Sequence, residues 1–585
     1  MVLDKINCPD DVKKLTFDEM KNLASEMREA MIKKVDVTSG HMGPNLGIVE
    51  ATIALHYVFN SPYDKIVYDV SHQSYPHKLL TGRKEGFLNP ELYLKYAGYT
   101  APEESEHDVF KVGHTSTSIS LATGLAKSRD LKGEKHNVIA LIGDGSMSGG
   151  EALEGLNNAS VLNSNMIIIF NDNQMSIAEN HGGLYTNFKL LRDTKGKAEL
   201  NIFKSLGFEY HYLEDGNDVE QLVELFKKVK DTNKPTILHI KTIKGLGLKL
   251  AEEYKELYHY IFPGMAQKLP DMDYEDNWTL IRDYIKKATK KDKTINLVSA
   301  GTPGATGFDE EFRKSLGSQY TDVGIAEQHA IGYISGMAVG GAKPVYAVLS
   351  SFIQRTYDQL SQDLALNNAP ATILVAWAGI SNGDATHLGT FDIPLISNIP
   401  NIVYLAPTTR EEMFKMLDYA INQNEHPVAI RIPLVTLKET GIEDRTDYSI
   451  LNKYKLIKQG KDVAIIAAGD FYELGIEVYK KLKEKGLDST LINPCYLTGL
   501  DTNMLESLKN NHKVVITLEN GELDGGFGEK ITRFYGNSDI KVLNFGSTKE
   551  FTDRIPLNEL YEKYHLTPDL IVQDVMNIIS EKAAL

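Results

Sequence analysis

The feature that most constrains this chain is a pair of apolar runs, each ending in a short polar cluster. Asn137–Gly143 (NVIALIG) runs into Gly143-Asp144-Gly145, and Met166–Phe170 runs into Asn171-Asp172-Asn173. A helical pattern over Gly150–Leu162 lies between them. Short continuous apolar runs flanking a helix describe a β-α-β unit with strands buried on both faces. Neighbouring parallel strands end at the same edge of their sheet, so the two polar clusters must meet there. The glycines beside Asp144 let a ligand approach the backbone, and the helix N-terminus that follows favours anions. One carboxylate, one amide oxygen and a backbone carbonyl form a hard-oxygen half-shell suited to Mg²⁺, with diphosphate oxygens and water completing it. Taken alone, the first cluster is more simply a strand–turn–helix with Asp144 as N-cap and Asn173 in a turn. The combination with the second cluster at this spacing turns the reading toward a metal–diphosphate site. No GxGxxG opens a β-α-β unit here, which disfavours a dinucleotide site.

The same alternation continues along the chain. Pro344–Leu349, Ala371–Val375 and Ile402–Leu405 form a second strand group, with Glu411–Ile421 among its helices. Val463–Ala468, Ser489–Asn493, Val514–Leu518 and Ile540–Asn544 form a third. Parallel α/β domains follow, and 585 residues hold about three of them. The polar stretches Lys286–Lys293 and Glu443–Tyr454 read as linkers, which divides the chain into domains 1–280, 290–440 and 455–585.

Composition narrows the partners. With 63 basic and 79 acidic residues the net charge is −16, and no long basic run occurs. Nucleic acid and anionic membranes are poor partners for such a chain, whereas small molecules are not. Two cysteines, Cys8 and Cys495, with no CxxC argue against a disulfide scaffold or zinc cluster and for a reducing compartment. Met1–Pro9 has no apolar signal core, and no run is long enough to span a bilayer. A cytoplasmic location is expected.

GDG followed at this distance by Asn resembles the thiamine-diphosphate signature, and the surrounding text resembles the 1-deoxy-D-xylulose-5-phosphate synthase family of transketolase relatives. The resemblance rests on Ser39–Gly47 (SGHMGPNLG), Asp69–Gly82 (DVSHQSYPHKLLTG), Gly113–Ser118 (GHTSTS) and Asn171–Glu179 (NDNQMSIAE). It continues through Asp322–His329 (DVGIAEQH), Ser351–Asp358 (SFIQRTYD) and Thr386–Asp392 (THLGTFD), in the family's order over nearly the whole chain. It implies three α/β domains of the transketolase type: a diphosphate- and Mg²⁺-binding domain, a pyrimidine-binding domain and a C-terminal domain. It implies thiamine diphosphate and Mg²⁺ as cofactors, and a homodimer whose active sites lie between the first two domains. The reaction it implies decarboxylates pyruvate and joins the two-carbon unit to D-glyceraldehyde 3-phosphate.

Carried over by position, Asp144, Asn173 and the carbonyl of Met175 would ligate Mg²⁺. Gly113, His114, Ser116, Gly143, Gly145, Ser146 and Lys244 would serve the diphosphate, and Ile177 would wedge beneath the cofactor. Glu327 would meet N1′ of the pyrimidine, and Phe352 would stack on that ring. A Glu at a helix start is ordinarily a partner of the macrodipole, and the resemblance is what makes Glu327 catalytic. His41, His72, His259 and His387 would surround the reacting carbon and move protons, with Arg355, Asp384 and His387 facing substrate. His77 and His329 match as well and are expected to be structural.

Departures from the family cluster on the acceptor's phosphate. A family arginine is replaced by Trp377, another by Leu434, and a family tyrosine by Leu349, which leaves Arg355 and Arg431 nearby. Each charge-assisted hydrogen bond to phosphate contributes roughly 1.5–3 kcal/mol, and apolar groups beside a dianion add a desolvation cost. Either other donors bind the phosphate or the acceptor aldehyde differs. In addition, Asp384 precedes His387 by three positions where the family has four, Ser71 replaces a glycine, and the stretch between Asn180 and Gly207 is short.

Overall fold

A computed structural model describes residues 1–270 and 275–583. The chain forms two compact units, Met1–Asp273 with Val323–Ala326, and Tyr274–Asp322 with Glu327–Leu585. In the first unit the strands are β1 (Gly40–His41), β2 (Lys65–Tyr68), β3 (Val138–Gly143), β4 (Met166–Asp172), β5 (Glu209–Leu213), β6 (Pro235–Lys241) and β7 (Tyr260–Ile261). Five of them build a wholly parallel sheet in the order β2-β3-β4-β6-β5, while β1 and β7 pair antiparallel as a separate ribbon.

Every residue of β4 is buried, as a continuous apolar run in a doubly covered sheet demands. Successive side chains go to opposite faces. Ile139, Leu141, Ile167 and Ile169 pack with Leu23, Met27, Ile53 and Phe226. Ala140, Ile142, Ile168 and Phe170 pack with Ile119, Ala122, Phe188 and Phe203. Truncating one such side chain, for example Ile169→Ala, costs about 2–5 kcal/mol in a core of this kind.

The second unit carries β8 (Ile295–Ser299), β9 (Tyr320–Asp322), β10 (Lys343–Leu349), β11 (Thr372–Ala378), β12 (Val403–Leu405) and β13 (Val428–Pro433). They form a parallel sheet ordered β12-β13-β11-β10-β8-β9. A third sheet follows from β14 (Lys455–Lys458), β15 (Val463–Ala467), β16 (Ser489–Asn493), β17 (Val514–Glu522) and β18 (Lys541–Ser547), ordered β14-β16-β15-β17-β18. Its edge strand β14 is antiparallel and the rest parallel. Backbone bonds join the two sheets inside this unit: Ala406 N–H donates to Cys495 O at 2.9 Å, and Leu497 N–H to Tyr404 O at 2.8 Å.

One expectation is corrected. Lys286–Lys291, the bulk of the stretch read as a linker, forms the last turns of helix Asn277–Lys291. Asp276 caps that helix by accepting Thr279 N–H, and Trp278, Ile281 and Ile285 bury one face. The lysines look like a solvated run in sequence because they occupy the exposed face and the C-terminal turn, where cations suit the macrodipole.

Candidate active site

The register of the first sheet places four polar clusters on one edge. Gly143 pairs with Asn171, and Asp144 N–H donates to Asn171 O at 3.1 Å. Asp172 pairs with Lys241, and Thr242 N–H donates to Asp172 O at 3.0 Å. Asp69 N–H donates to Leu141 O at 2.8 Å. The segments beginning at Asp69, Asp144, Asn173 and Thr242 therefore leave neighbouring strands at the same side.

Asp144 is buried there, with Asn180 Nδ2 donating to its Oδ2 at 2.7 Å. Its Oδ1 is buried without a hydrogen-bond partner among the described residues. Burial and the nearby Asp172 push its pKa up to about 8. A carboxylate in this setting calls for a cation. Asp172 does not compete for that role, since its Oδ2 takes Arg192 Nη1 at 2.6 Å and His239 Nε2 at 2.9 Å. Asn173 Oδ1 accepts Met175 N–H at 3.1 Å, opening a tight turn in which Met175 and Glu179 bridge and Ser176 N–H donates to Ala178 O at 3.0 Å. Gly145 must be a glycine, because a Cβ there would stand 2.9 Å from Ser176 Cα. One bare carboxylate oxygen, one amide and the Met175 carbonyl of this turn fit a hard divalent cation that brings phosphate oxygens with it.

Lys244 is buried, and its Nζ donates to Ser176 O at 2.6 Å. Burial brings its pKa down to about 7, with Asp144 opposing. Its ammonium thus pins the turn that carries Ile177. On the other side, buried Asp69 accepts Ser116 N–H at 2.8 Å and Ser118 N–H at 3.0 Å, shaping the Gly113–Ser118 loop. Ser116 Oγ donates to Ser146 O at 2.7 Å, so this loop and the GDG turn are one structure. Ser71, where the resemblance expects glycine, has a φ of 61°. Its hydroxyl donates to Val112 O at 2.6 Å and accepts Thr100 N–H at 2.9 Å, which offsets strain on the order of 1–3 kcal/mol.

Three of the four sequence-predicted histidines converge. Ring centroids lie 5.0 Å apart for His41 and His72, 5.5 Å for His41 and His259, and 5.3 Å for His72 and His259. The β1–β7 ribbon brings His41 opposite Tyr260, and Met42 N–H donates to His259 O at 3.1 Å. Burial, then neighbouring cations and imidazoles, holds His41 and His259 well below the usual histidine range, so both are neutral. Sequence reasoning missed the residue that aligns them. Asn45, 1% exposed, donates from Nδ2 to His41 O at 2.8 Å and to His72 O at 2.7 Å, and its Oδ1 accepts Tyr75 N–H at 2.9 Å.

His77 has the structural place expected for it. His77 Nε2 bonds Asp108 Oδ1 at 3.0 Å and its Nδ1 meets His56 Nε2 at 2.9 Å, while Arg83 forks onto Asp108 at 2.6 and 2.8 Å. Donation from His77 to Asp108 makes His77 Nδ1 the acceptor, so His56 donates from Nε2. His329 is exposed.

The second unit holds the remaining predicted residues. Glu327 opens helix Glu327–Val339, is buried, and has Arg355 Nη1 3.6 Å from its Oε2. Burial raises its pKa, with Arg355 opposing. The rings of Phe352 and His387 meet edge to face at 5.7 Å, and Thr386 Oγ1 lies 2.9 Å from His387 Nδ1. Asp384 O accepts His387 N–H at 2.9 Å, while the Asp384 carboxylate faces Arg554 Nε at 3.8 Å. Leu349 is at the end of β10 and Trp377 near the end of β11; Leu434 follows β13, the strand next to β11. Trp377 is 45% and Leu434 51% exposed. Arg431 is buried and committed elsewhere, bonding Asp392 at 2.6 and 3.1 Å and Asn520 O at 2.6 Å.

Three family models match consecutive parts of the chain. They are 1-deoxy-D-xylulose-5-phosphate synthase at residues 3–200 and 187–242, the transketolase pyrimidine binding domain at 275–438, and the transketolase C-terminal domain at 452–571. A 1-deoxy-D-xylulose-5-phosphate synthase of Halothermothrix orenii is 36% identical over 629 residues, covering 100% of this chain and 98% of the relative. One of Clostridium tetani is 36% identical, covering 99% of each chain, and one of Carboxydothermus hydrogenoformans is 35% identical with the same coverage.

Proposed function

The chain belongs to the 1-deoxy-D-xylulose-5-phosphate synthase family, and on that footing we propose that it decarboxylates pyruvate and joins the two-carbon unit to D-glyceraldehyde 3-phosphate, giving 1-deoxy-D-xylulose 5-phosphate. It is a transferase of the transketolase class, dependent on thiamine diphosphate. The observation that carries the reading is similarity over the full length of both chains, with the matched motifs falling on strand ends.

Thiamine diphosphate supplies the electron sink that decarboxylation of a 2-oxo acid requires. Asp144, Asn173 and the Met175 carbonyl would hold Mg²⁺, and the Gly113–Ser116 loop with Gly143, Gly145 and Ser146 would receive the diphosphate. Lys244 holds the turn from which Ile177 would meet the cofactor. Glu327, whose pKa burial raises, would face the pyrimidine N1′ atom and share a proton with it, and Phe352 would cover that ring. His41, His72, His259 and His387 would move protons to and from the oxygens of donor and acceptor. The lowered pKa of His41 and His259 suits this work, because a neutral imidazole can donate from one nitrogen and accept at the other. Among the described residues no helix is long and apolar enough to cross a membrane. We place the enzyme in the cytoplasm as a homodimer, which sedimentation at micromolar concentration tests.

The assay is pyruvate-dependent CO₂ release and product formation with D-glyceraldehyde 3-phosphate. Glu327→Ala is expected to abolish both, and a variant as active as the parent overturns the assignment of Glu327.

One observation favours a second reading of the acceptor. Trp377 and Leu434 present exposed apolar side chains at their strand ends, Leu349 is packed into the core, and Arg431 is tied to Asp392. In this reading the aldehyde is not phosphorylated. Parallel assays with D-glyceraldehyde 3-phosphate and D-glyceraldehyde decide it, and a clear preference for the phosphorylated aldehyde removes it.

A further inference from the structure

The loop that leaves β11 at Gly379 and carries His387 is closed at its base. Gly379 N–H donates to Gly389 O at 2.9 Å, and Ser350 Oγ donates to the same carbonyl at 3.0 Å. A Cβ on Gly389 would stand 2.2 Å from Trp377 O, so the base admits no side chain there. Beyond the base, the anchors come from the third sheet and the segment after it. Ile380 N–H donates to Asn520 Oδ1 at 2.8 Å. Glu522 N–H donates to Thr390 O at 3.0 Å, and Arg554 N–H to Gly383 O at 2.9 Å. Ala385 N–H donates to Asp553 Oδ1 at 3.2 Å.

Asn520 is itself fixed. Its Nδ2 donates to Asp470 Oδ2 at 2.6 Å, and its carbonyl accepts Arg431 Nη2 at 2.6 Å. Arg431 in turn forks onto Asp392, five residues beyond His387, where Tyr404 Oη also donates at 2.5 Å. The loop is therefore gripped near its start, its middle and its end by side chains and backbone that are far away in sequence. None of these groups belongs to the cofactor-binding residues assigned above.

We infer that Asn520 and Asp553 are positioning residues for His387, so that the third-sheet domain shapes the acceptor side of the site. The inference rests on the proposed proton-transfer role of His387. A misplacement of about 1 Å at a catalytic group lowers rates on the order of 100-fold, which sets the scale of the effect.

The test uses the full chain with pyruvate and the aldehyde it consumes. Asp553 is half-buried, so Asp553→Ala leaves the core untouched. It is expected to lower kcat/KM for the aldehyde roughly 10- to 100-fold, with thiamine-diphosphate affinity and thermal midpoint unchanged. Asp553→Asn keeps the acceptor oxygen and should restore the parent value. Asn520→Ala should act in the same direction. Unchanged aldehyde kcat/KM in both alanine variants overturns the inference. So does a loss that appears equally in cofactor affinity and thermal midpoint, since that is the signature of a merely structural role. His387→Ala separates the two layers: if it leaves aldehyde kcat/KM intact, the reading of His387 fails first and the inference falls with it.

Discussion

The carboxyl edges of the first and second sheets share one architecture and differ in what they offer a ligand. On the first, Asp69, Asp144 and Lys244 are buried, Asp69 and Lys244 tie down backbone of neighbouring loops, and the half-buried rings of His41, His72 and His259 meet one another. On the second, strand ends carry Leu349, Trp377 and Leu434, and the buried cation Arg431 is spent on Asp392. The difference shows which part of such an enzyme is free to change. Side chains of the first edge hold the backbone of several loops, so replacing one disturbs several segments. Of those at the ends of β10, β11 and β13, Leu349 belongs to the core, whereas the exposed Trp377 and Leu434 can be exchanged with less cost to the fold. On the proposed reading, the first edge would hold the cofactor's metal and diphosphate, and the second would set the choice of acceptor.

That contrast is broken most directly at Asp144. Asp144→Ala removes the carboxylate whose bare oxygen faces the proposed Mg²⁺, and activity should fall by at least about 100-fold at limiting Mg²⁺. Undiminished activity in a Mg²⁺ titration would refute the metal assignment. Trp377→Arg works on the other edge. It restores a phosphate donor, and a charge-assisted bond of roughly 1.5–3 kcal/mol should shift selectivity toward the phosphorylated aldehyde by about 10- to 100-fold. Cofactor affinity should stay as it was, and a drop there would show that the two edges are not independent.

A pH experiment sharpens the comparison through stability. In the first unit, His56 and His77 are fully buried and His41 and His259 half-buried, and desolvation lowers the pKa of each. The folded state keeps them neutral while the unfolded chain protonates them near pH 6.5. Below that pH the unfolded state binds more protons, so stability is lost as pH falls and is fully present above it. Each such histidine contributes on the order of 1 kcal/mol per pH unit below 6.5. The first thermal transition should move down between pH 7.5 and pH 5.5. His56→Gln can still donate to His77 Nδ1, and should flatten that dependence. A midpoint indifferent to pH in the parent protein would contradict the neutral assignment.

Much of this was legible in the residues. The runs before Asp144 and Asn173 appear as β3 and β4 because a strand covered on both faces has no polar period to obscure it. The convergence of His41, His72 and His259 followed from motifs, since no local pattern joins positions so far apart. What stayed hidden depends on tertiary partners. Lys286–Lys291 reads as a solvated run until Asp276 and Trp278 define the helix it ends. Arg431 reads as a free cation near the acceptor until Asp392, 39 residues earlier, is seen to occupy it. Nothing local marks Asn45, whose partners at His72 and Tyr75 lie 27 and 30 positions away.

Asn45 also provides the finest test of the first edge. Its amide holds the backbone of two histidine-bearing segments and the start of helix Tyr75–Leu80 with three hydrogen bonds. If that edge is one interlocked structure, Asn45→Ala should release His41 and His72 from a common frame without removing any group that touches the reactants. A loss of about 10-fold in kcat is expected, with little change in the KM for pyruvate, as befits a misaligned proton-transfer group. Leaving two buried carbonyls and one N–H unpaired should cost about 1–3 kcal/mol of stability in addition. Asn45→Asp keeps the acceptor for Tyr75 N–H and loses both donors, so it should resemble Asn45→Ala in kcat. Full kcat in both variants would mean that the histidines are held by the β1–β7 ribbon and the strand ends alone, and that the first edge is less interlocked than its hydrogen bonds imply.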